Sequence, residues 1–155
     1  MSAGKTYEPV RAKTVLNRVR EERMPFEWSV NPYRGCAHGC SYCYARAFHS
    51  YLGRTATDEF QNDILVKENA PEALEAQLQS FARRLGVRPD EVGARLGRVA
   101  VGTATDPYQP AEAKAELTRR ILRVLAKYRV RASVTTRSPL VARDIDLLKE
   151  LRPVA

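Results

Sequence analysis

The sequence predicts an α/β protein, because short apolar runs with strand character alternate with amphipathic stretches of helical spacing, and glycine or proline punctuates the junctions. With 155 residues, 44% of them hydrophobic, the chain is long enough to bury one core of its own. The order βαβαβαβα implies a parallel sheet with helices outside.

The first 28 residues are polar and basic, and Pro9 and Pro25 interrupt any long helix, so residues 1–28 are expected to be an extension lying on a core of residues 29–155. Residues 27–30 form the first expected strand. A cysteine run follows, and residues 44–52 then read as a helix that Gly53 ends. The apolar run 63–67 is the second strand, and Asn69-Ala70-Pro71-Glu72 is a helix start with proline in its first turn, continued by Leu74, Leu78 and Phe81. Residues 86–97 form a connection with a short helical turn at 89–96. Residues 98–102 give a third strand, and residues 113–128 a helix with Leu117, Ile121, Leu122 and Leu125 on one face. Residues 130–136 are the fourth strand, which Pro139 ends, and residues 145–151 open a last helix.

Cys36, Cys40 and Cys43 are the only cysteines, and they stand within eight residues. Gly35 and Gly39 let the backbone curl so that its amides face a compact inorganic core. Four thiolates would close the coordination of a cubane cluster, whereas three leave one iron open to a substrate or cosubstrate. Other uses of the cysteines compete. Tyr44 follows Cys43, which excludes the Cys-x-x-Cys-His haem attachment. A redox pair from Cys40 and Cys43 leaves Cys36 unexplained, and a disulfide framework leaves one cysteine over. Structural zinc stays open, with His38 or His49 completing a Cys3His site, although zinc motifs usually place their second ligand pair on a distant turn.

Cys36-x3-Cys40-x2-Cys43 with Tyr42 before the third cysteine resembles the signature of the radical S-adenosylmethionine (SAM) superfamily. Arg34-Gly35-Cys36 through Cys43-Tyr44-Ala45-Arg46, then His49-x-Tyr51-Leu52-Gly53, the Gly102-Thr103-Ala104-Thr105-Asp106-Pro107-Tyr108-Gln109-Pro110-Ala111-Glu112 segment and Arg143-Asp144-Ile145-Asp146-Leu147-Leu148 resemble its spore photoproduct lyase-like, or DNA repair photolyase-like, branch. The resemblance runs from about Asn31 to the C-terminus. It implies a partial TIM-type (β/α)6 barrel, of which this chain would be the N-terminal portion of about four β/α units, truncated on its C-terminal side.

The same resemblance implies a 4Fe–4S cluster on Cys36, Cys40 and Cys43, with SAM chelating the open iron. Reductive cleavage of SAM would release methionine and a 5′-deoxyadenosyl radical that abstracts a substrate hydrogen, and an external donor such as flavodoxin or ferredoxin would supply the electron. Tyr42 would lie beside the adenine, Thr105 and Asp106 would contact SAM, and Arg137 would pair with its carboxylate where relatives tend to carry lysine. A turn-forming role for Asp106 and a helix-start role for Glu112 are the competing readings. Spore photoproduct repair itself is not expected, because those lyases use a further cysteine near the second motif.

A net charge of +8 suits a nucleic-acid substrate, although the basic residues are spread along the chain. The competing function is a non-catalytic, zinc- or cluster-stabilised basic module that binds nucleic acid. No stretch approaches the length of a membrane span and the N-terminus lacks a signal-peptide pattern, so the expectation is a soluble cytoplasmic protein with no membrane partner.

Overall fold

A computed structural model describes residues 6–34 and 63–151. The expected helix at 44–52, the cysteines and Tyr42 lie outside the described residues.

The fold is mixed α/β, with two mixed sheets. In chain order the strands are β1 (Thr6–Val10), β2 (Leu16–Arg18), β3 (Trp28–Val30), β4 (Tyr33–Arg34), β5 (Asp63–Lys67), β6 (Arg98–Val101) and β7 (Arg131–Val134). The helices among the described residues are α1 (Ala70–Leu85), α2 (Val92–Leu96), α3 (Glu112–Ala115), α4 (Leu117–Lys127) and α5 (Ile145–Glu150), with 3-10 turns at Pro89–Glu91 and Pro139–Asp144. One sheet has the order β2-β3-β6-β7 and the other β1-β5-β4.

The larger sheet carries the expected parallel run. Trp28 pairs with Val99 and Val30 with Val101 in one ladder, and Val99 pairs with Ala132 in the next. Helix α1 precedes β6, and α4 connects β6 to β7. Their buried stripes, Leu74 and Leu78 on α1 and Ile121, Leu122 and Leu125 on α4, meet Val30, Val99, Val101 and Val130 in one hydrophobic core. The helical 3.6-residue spacing of those leucines against the short valine-rich strands produces this layering.

The single parallel sheet expected from the alternation needs correction. The run at 63–67 is a strand, but it belongs to the smaller sheet, where β5 lies between parallel β1 and antiparallel β4. The parallel series therefore has three strands, β3, β6 and β7, and two sheets replace the single one expected. The residues before 28 lie on the core through strands of their own, since β1 pairs with β5 over five residues and β2 runs antiparallel to β3 at the other sheet's edge. Pro9 is tolerated because β1 is an edge strand, where a missing amide hydrogen costs no ladder bond.

Two amide side chains of α1 hold this segment down. Asn69, at the helix start, exchanges 2.8 Å hydrogen bonds with the Ala12 N–H and C=O. Gln77 accepts from the Val15 and Leu16 N–H groups at 2.8 and 3.0 Å and donates to the Leu16 carbonyl. Each amide thus stands in for a missing β-partner and satisfies backbone groups that burial would otherwise strand. Val15, fully buried, and Leu16 thereby join the core.

The helix expected over 113–128 is two helices. Glu116 sits at φ 51 between α3 and α4, and the Glu112 carboxylate accepts from the Thr118 N–H at 2.9 Å and the Arg119 N–H at 3.2 Å. A negative charge satisfying two open amides of the first turn is a strong helix start, and it outweighs the cost of a left-handed glutamate.

Gly93 of α2 packs directly on the chain beyond α4, where a Cβ would come within 1.7 Å of the Arg129 carbonyl oxygen. The obstacle is backbone, so Gly93→Ala is expected to destabilise by about 3 kcal/mol, measured as a lowered urea midpoint with the slope unchanged.

Candidate functional site

Among the described residues, Asn31, the segment after β6 and the end of β7 at Thr136 and Arg137 converge at the C-terminal ends of β3, β6 and β7. Gly102 follows β6 at φ 95, and its N–H donates to the Val30 carbonyl at 3.0 Å. A Cβ there would lie 2.5 Å from Pro107 Cδ and 3.0 Å from the Thr135 carbonyl oxygen. Only glycine meets both the backbone sign and the space. Asn31, just past β3, donates to Thr103 Oγ1 at 3.2 Å and accepts from the Ala104 N–H at 2.8 Å. The residues entering the cysteine run and those following β6 are therefore cross-braced.

Asp106 is the centre of the turn. Its Oδ1 accepts from the Tyr108 N–H at 2.8 Å and from the Thr136 hydroxyl at 2.6 Å, and its Oδ2 accepts from the Arg137 N–H at 3.0 Å. The first contact is the Asx turn weighed from the sequence, and the other two clamp the end of β7 to the end of β6. Thr105 is buried, and its hydroxyl accepts from Gln109 Nε2 at 2.9 Å. Arg137 is exposed at the same edge.

Below this rim lies a buried charged cluster. Glu112 and Asp144 are both 0% exposed. Arg143 bridges them through Nη2, 2.8 Å from Glu112 Oε2 and 2.8 Å from Asp144 Oδ2. Arg119 adds a 2.6 Å contact to Asp144 and continues to Asp146 at 3.0 Å. Two buried tyrosines donate into the cluster, Tyr33 to Glu112 Oε1 and Tyr108 to Asp144 Oδ2 at 2.8 Å. Burial first, and then the adjacent carboxylates, push both phenols far above their usual range, so both stay protonated donors.

Burial alone would raise the Asp144 carboxyl, but hydrogen bonds from Arg143, Arg119 and Tyr108 prevail and hold it below the ordinary value. The Arg119 hydrogen bond likewise lowers Asp146. Beside the cysteine run, Arg34 and Lys67 sit on neighbouring strands, and burial together with the Arg34 charge brings the Lys67 ammonium down to about 8.

Of the residues expected to bind cofactor, Thr105, Asp106 and Arg137 come together at one rim, and Tyr42 lies outside the described residues together with the three cysteines. Among the described residues no group of three or more His, Cys, Asp or Glu side chains could hold a metal ion. The three thiols of Cys36, Cys40 and Cys43 fit a cubane cluster by the chemistry of the donor set, leaving one iron for a small-molecule ligand. Sequence reasoning gave no role to Asn31 or Arg119, and treated Arg143 and Asp144 only as part of a resemblance. An adjacent Arg-Asp pair ahead of an apolar helix was their one visible signal.

No protein-family model matches the chain, and no solved structure matches it. An uncharacterized protein of Mycobacterium tuberculosis is 37% identical over 148 residues, which are 95% of this chain and 40% of that protein. A Mycobacterium bovis protein, also uncharacterized, matches equally. An uncharacterized protein of Methanocaldococcus jannaschii is 29% identical over 128 residues, 83% of this chain and 42% of the relative. The chain thus spans about 40% of the length of the curated relatives it matches. Among the described residues no helix is long and apolar enough to cross a membrane.

Two outcomes are expected. Asp106→Ala strands three donors at once and is expected to lower stability by about 2–3 kcal/mol, read from urea unfolding. Asp144 and Asp146 are depressed in the folded state, so their contribution is present above the unfolded carboxyl value near about 4 and disappears as pH falls through the folded one. Melting temperature should therefore fall from about pH 5 downward, and Asp146→Asn should fall less steeply.

Proposed function

We propose that the chain is the N-terminal part of a radical SAM iron–sulfur enzyme of the spore photoproduct lyase-like branch, with Cys36, Cys40 and Cys43 as cluster ligands. The observation that carries the reading is the Cys-x3-Cys-x2-Cys run, with its donor set one thiolate short of a closed cubane. When bound, such a cluster supplies the electron for reductive cleavage of SAM to methionine and a 5′-deoxyadenosyl radical.

The geometry supports the reading in two ways. In the larger sheet, β6 and β7 are parallel neighbours joined through α4, and β3 pairs in parallel with β6. The β6–α4–β7 step is a parallel β/α unit of the kind that a (β/α)6 barrel repeats. The second support is place. The Gly102-to-Glu112 motif follows the C-terminal end of a parallel strand, the face at which β/α barrels gather their reactive residues.

In this reading the rim residues orient SAM. Asp106, fixed by hydrogen bonds from Tyr108, Thr136 and Arg137, holds a carboxylate at this rim to meet the SAM ammonium. Arg137, exposed at the end of β7, meets the SAM carboxylate, a pairing its planar fork can make bidentate. Thr105, whose hydroxyl is held by Gln109, shapes the turn behind Asp106. Tyr42 lies beside the adenine. An external low-potential donor of the flavodoxin or ferredoxin type supplies electrons, and nucleic acid is the candidate substrate class on the strength of the +8 charge.

Anaerobic iron–sulfide reconstitution followed by electron paramagnetic resonance tests the proposal. About four irons with sulfide per chain are expected, with a reduced signal that shifts on adding SAM, and alanine at Cys36, Cys40 or Cys43 should abolish loading. One zinc per chain and no iron would replace this reading with the basic nucleic-acid-binding module, and a cluster indifferent to SAM would remove the SAM role.

A further inference from the structure

We infer that Glu112 is a positioning residue for the cysteine run, acting through the Tyr33 hydroxyl, so that one buried carboxylate sets both the start of α4 and the point where the chain enters the run. The inference rests on the reading of Cys36, Cys40 and Cys43 as ligands.

Tyr33 is a two-residue strand's first member, three positions before Cys36. Its backbone is paired with Val66 of β5, an edge contact of only two residues, which by itself is a weak tether. Its side chain is buried and donates to Glu112 Oε1 from 79 residues away in the chain. The same oxygen accepts from the Thr118 N–H, and the other accepts from the Arg119 N–H and from Arg143. Four donors converge on one carboxylate, and three of them belong to the helical layer behind β6 and β7. That layer cannot shift without Glu112, and Glu112 cannot shift without Tyr33.

A hydrogen bond whose only duty was to satisfy a buried phenol could have used a local carbonyl. This one instead links the residue that leads into the cysteines with the last residue of the Gly102-to-Glu112 segment. Asn31 repeats the connection two residues earlier through Thr103 and Ala104. Two independent braces therefore hold the entry to the cysteine run against one motif, a fixed relation of the kind that placing a ligand loop beside a cosubstrate rim requires.

Because the chain has no other thiols, the reaction of reduced, metal-free protein with a disulfide reagent such as dithiobisnitrobenzoate reports on the run alone. Tyr33→Phe removes only the donor. It is expected to keep the circular dichroism spectrum while accelerating thiol reaction roughly fivefold, the factor a lost hydrogen bond commands. Glu112→Gln should do at least as much, and the double variant should be no faster than Glu112→Gln, since both act through one contact. Phe81→Ala, a core change on α1, which supplies no member of the cluster, serves as a control for general loosening.

In reconstituted protein, Tyr33→Phe should also shorten the half-life of iron against a chelator. An unchanged thiol rate in Tyr33→Phe, an additive double variant, or equal acceleration in Phe81→Ala would each overturn the inference. Failure of the wild-type protein to load iron would overturn the ligand reading instead and leave the thiol result to stand by itself.

Discussion

The described structure depends on one buried ionic cluster, in which Arg143 bridges the carboxylates of Glu112 and Asp144 and two tyrosine hydroxyls and Arg119 fill the remaining positions. Two fully buried carboxylates are expensive to desolvate, and only dense pairing makes them tolerable. Every partner therefore has to arrive together. Glu112 comes from the end of the post-β6 segment, Arg143 and Asp144 from the turn ahead of α5, Arg119 from α4, and Tyr33 from β4 in the other sheet. An apolar core would tolerate these elements sliding by a fraction of a turn, whereas hydrogen-bonded charge does not.

The second constraint is that polar side chains replace backbone partners wherever the sheets end. Asn69 and Gln77 complete the hydrogen bonding of the N-terminal segment, Asn31 joins the ends of β3 and β6, and Asp106 joins the ends of β6 and β7. All four lie where an open strand end or turn would otherwise expose amides to a dry interior. The rim at the C-terminal strand ends is thus a rigid turn system, and its left-handed Gly102 is the point at which Pro107 and Thr135 approach too closely for any side chain.

Much of this was legible in the residues. The Asp63–Lys67 strand, the α1 start at Ala70-Pro71, the turn at Pro89, the Arg98–Val101 strand and the buried stripe of α4 all follow from local spacing and proline placement. The break at Glu116 was not legible, because the continuous apolar spacing says helix while the Glu112 carboxylate, reaching six and seven residues on, starts a new one. Strands β1 and β2 were hidden for a related reason. Their partners are β5, more than fifty residues away, and the far side of β3, and a polar edge strand with a proline carries little period-two signal of its own.

The sequence by itself determined the α/β alternation, the apolar faces, the three-thiol donor set and the grouping of Thr105 and Asp106 in one turn, since each is a matter of residue type at short spacing. Only the tertiary structure decided that the strands divide into two sheets, that Asp106 clamps β7 to β6, and that Tyr33, Glu112, Arg143 and Asp144 form one cluster. The physical reason is distance along the chain. A periodic pattern reports what a residue does within a turn or a strand, whereas a buried charge chooses partners from 25 to 79 residues away by their geometry, which no local pattern encodes.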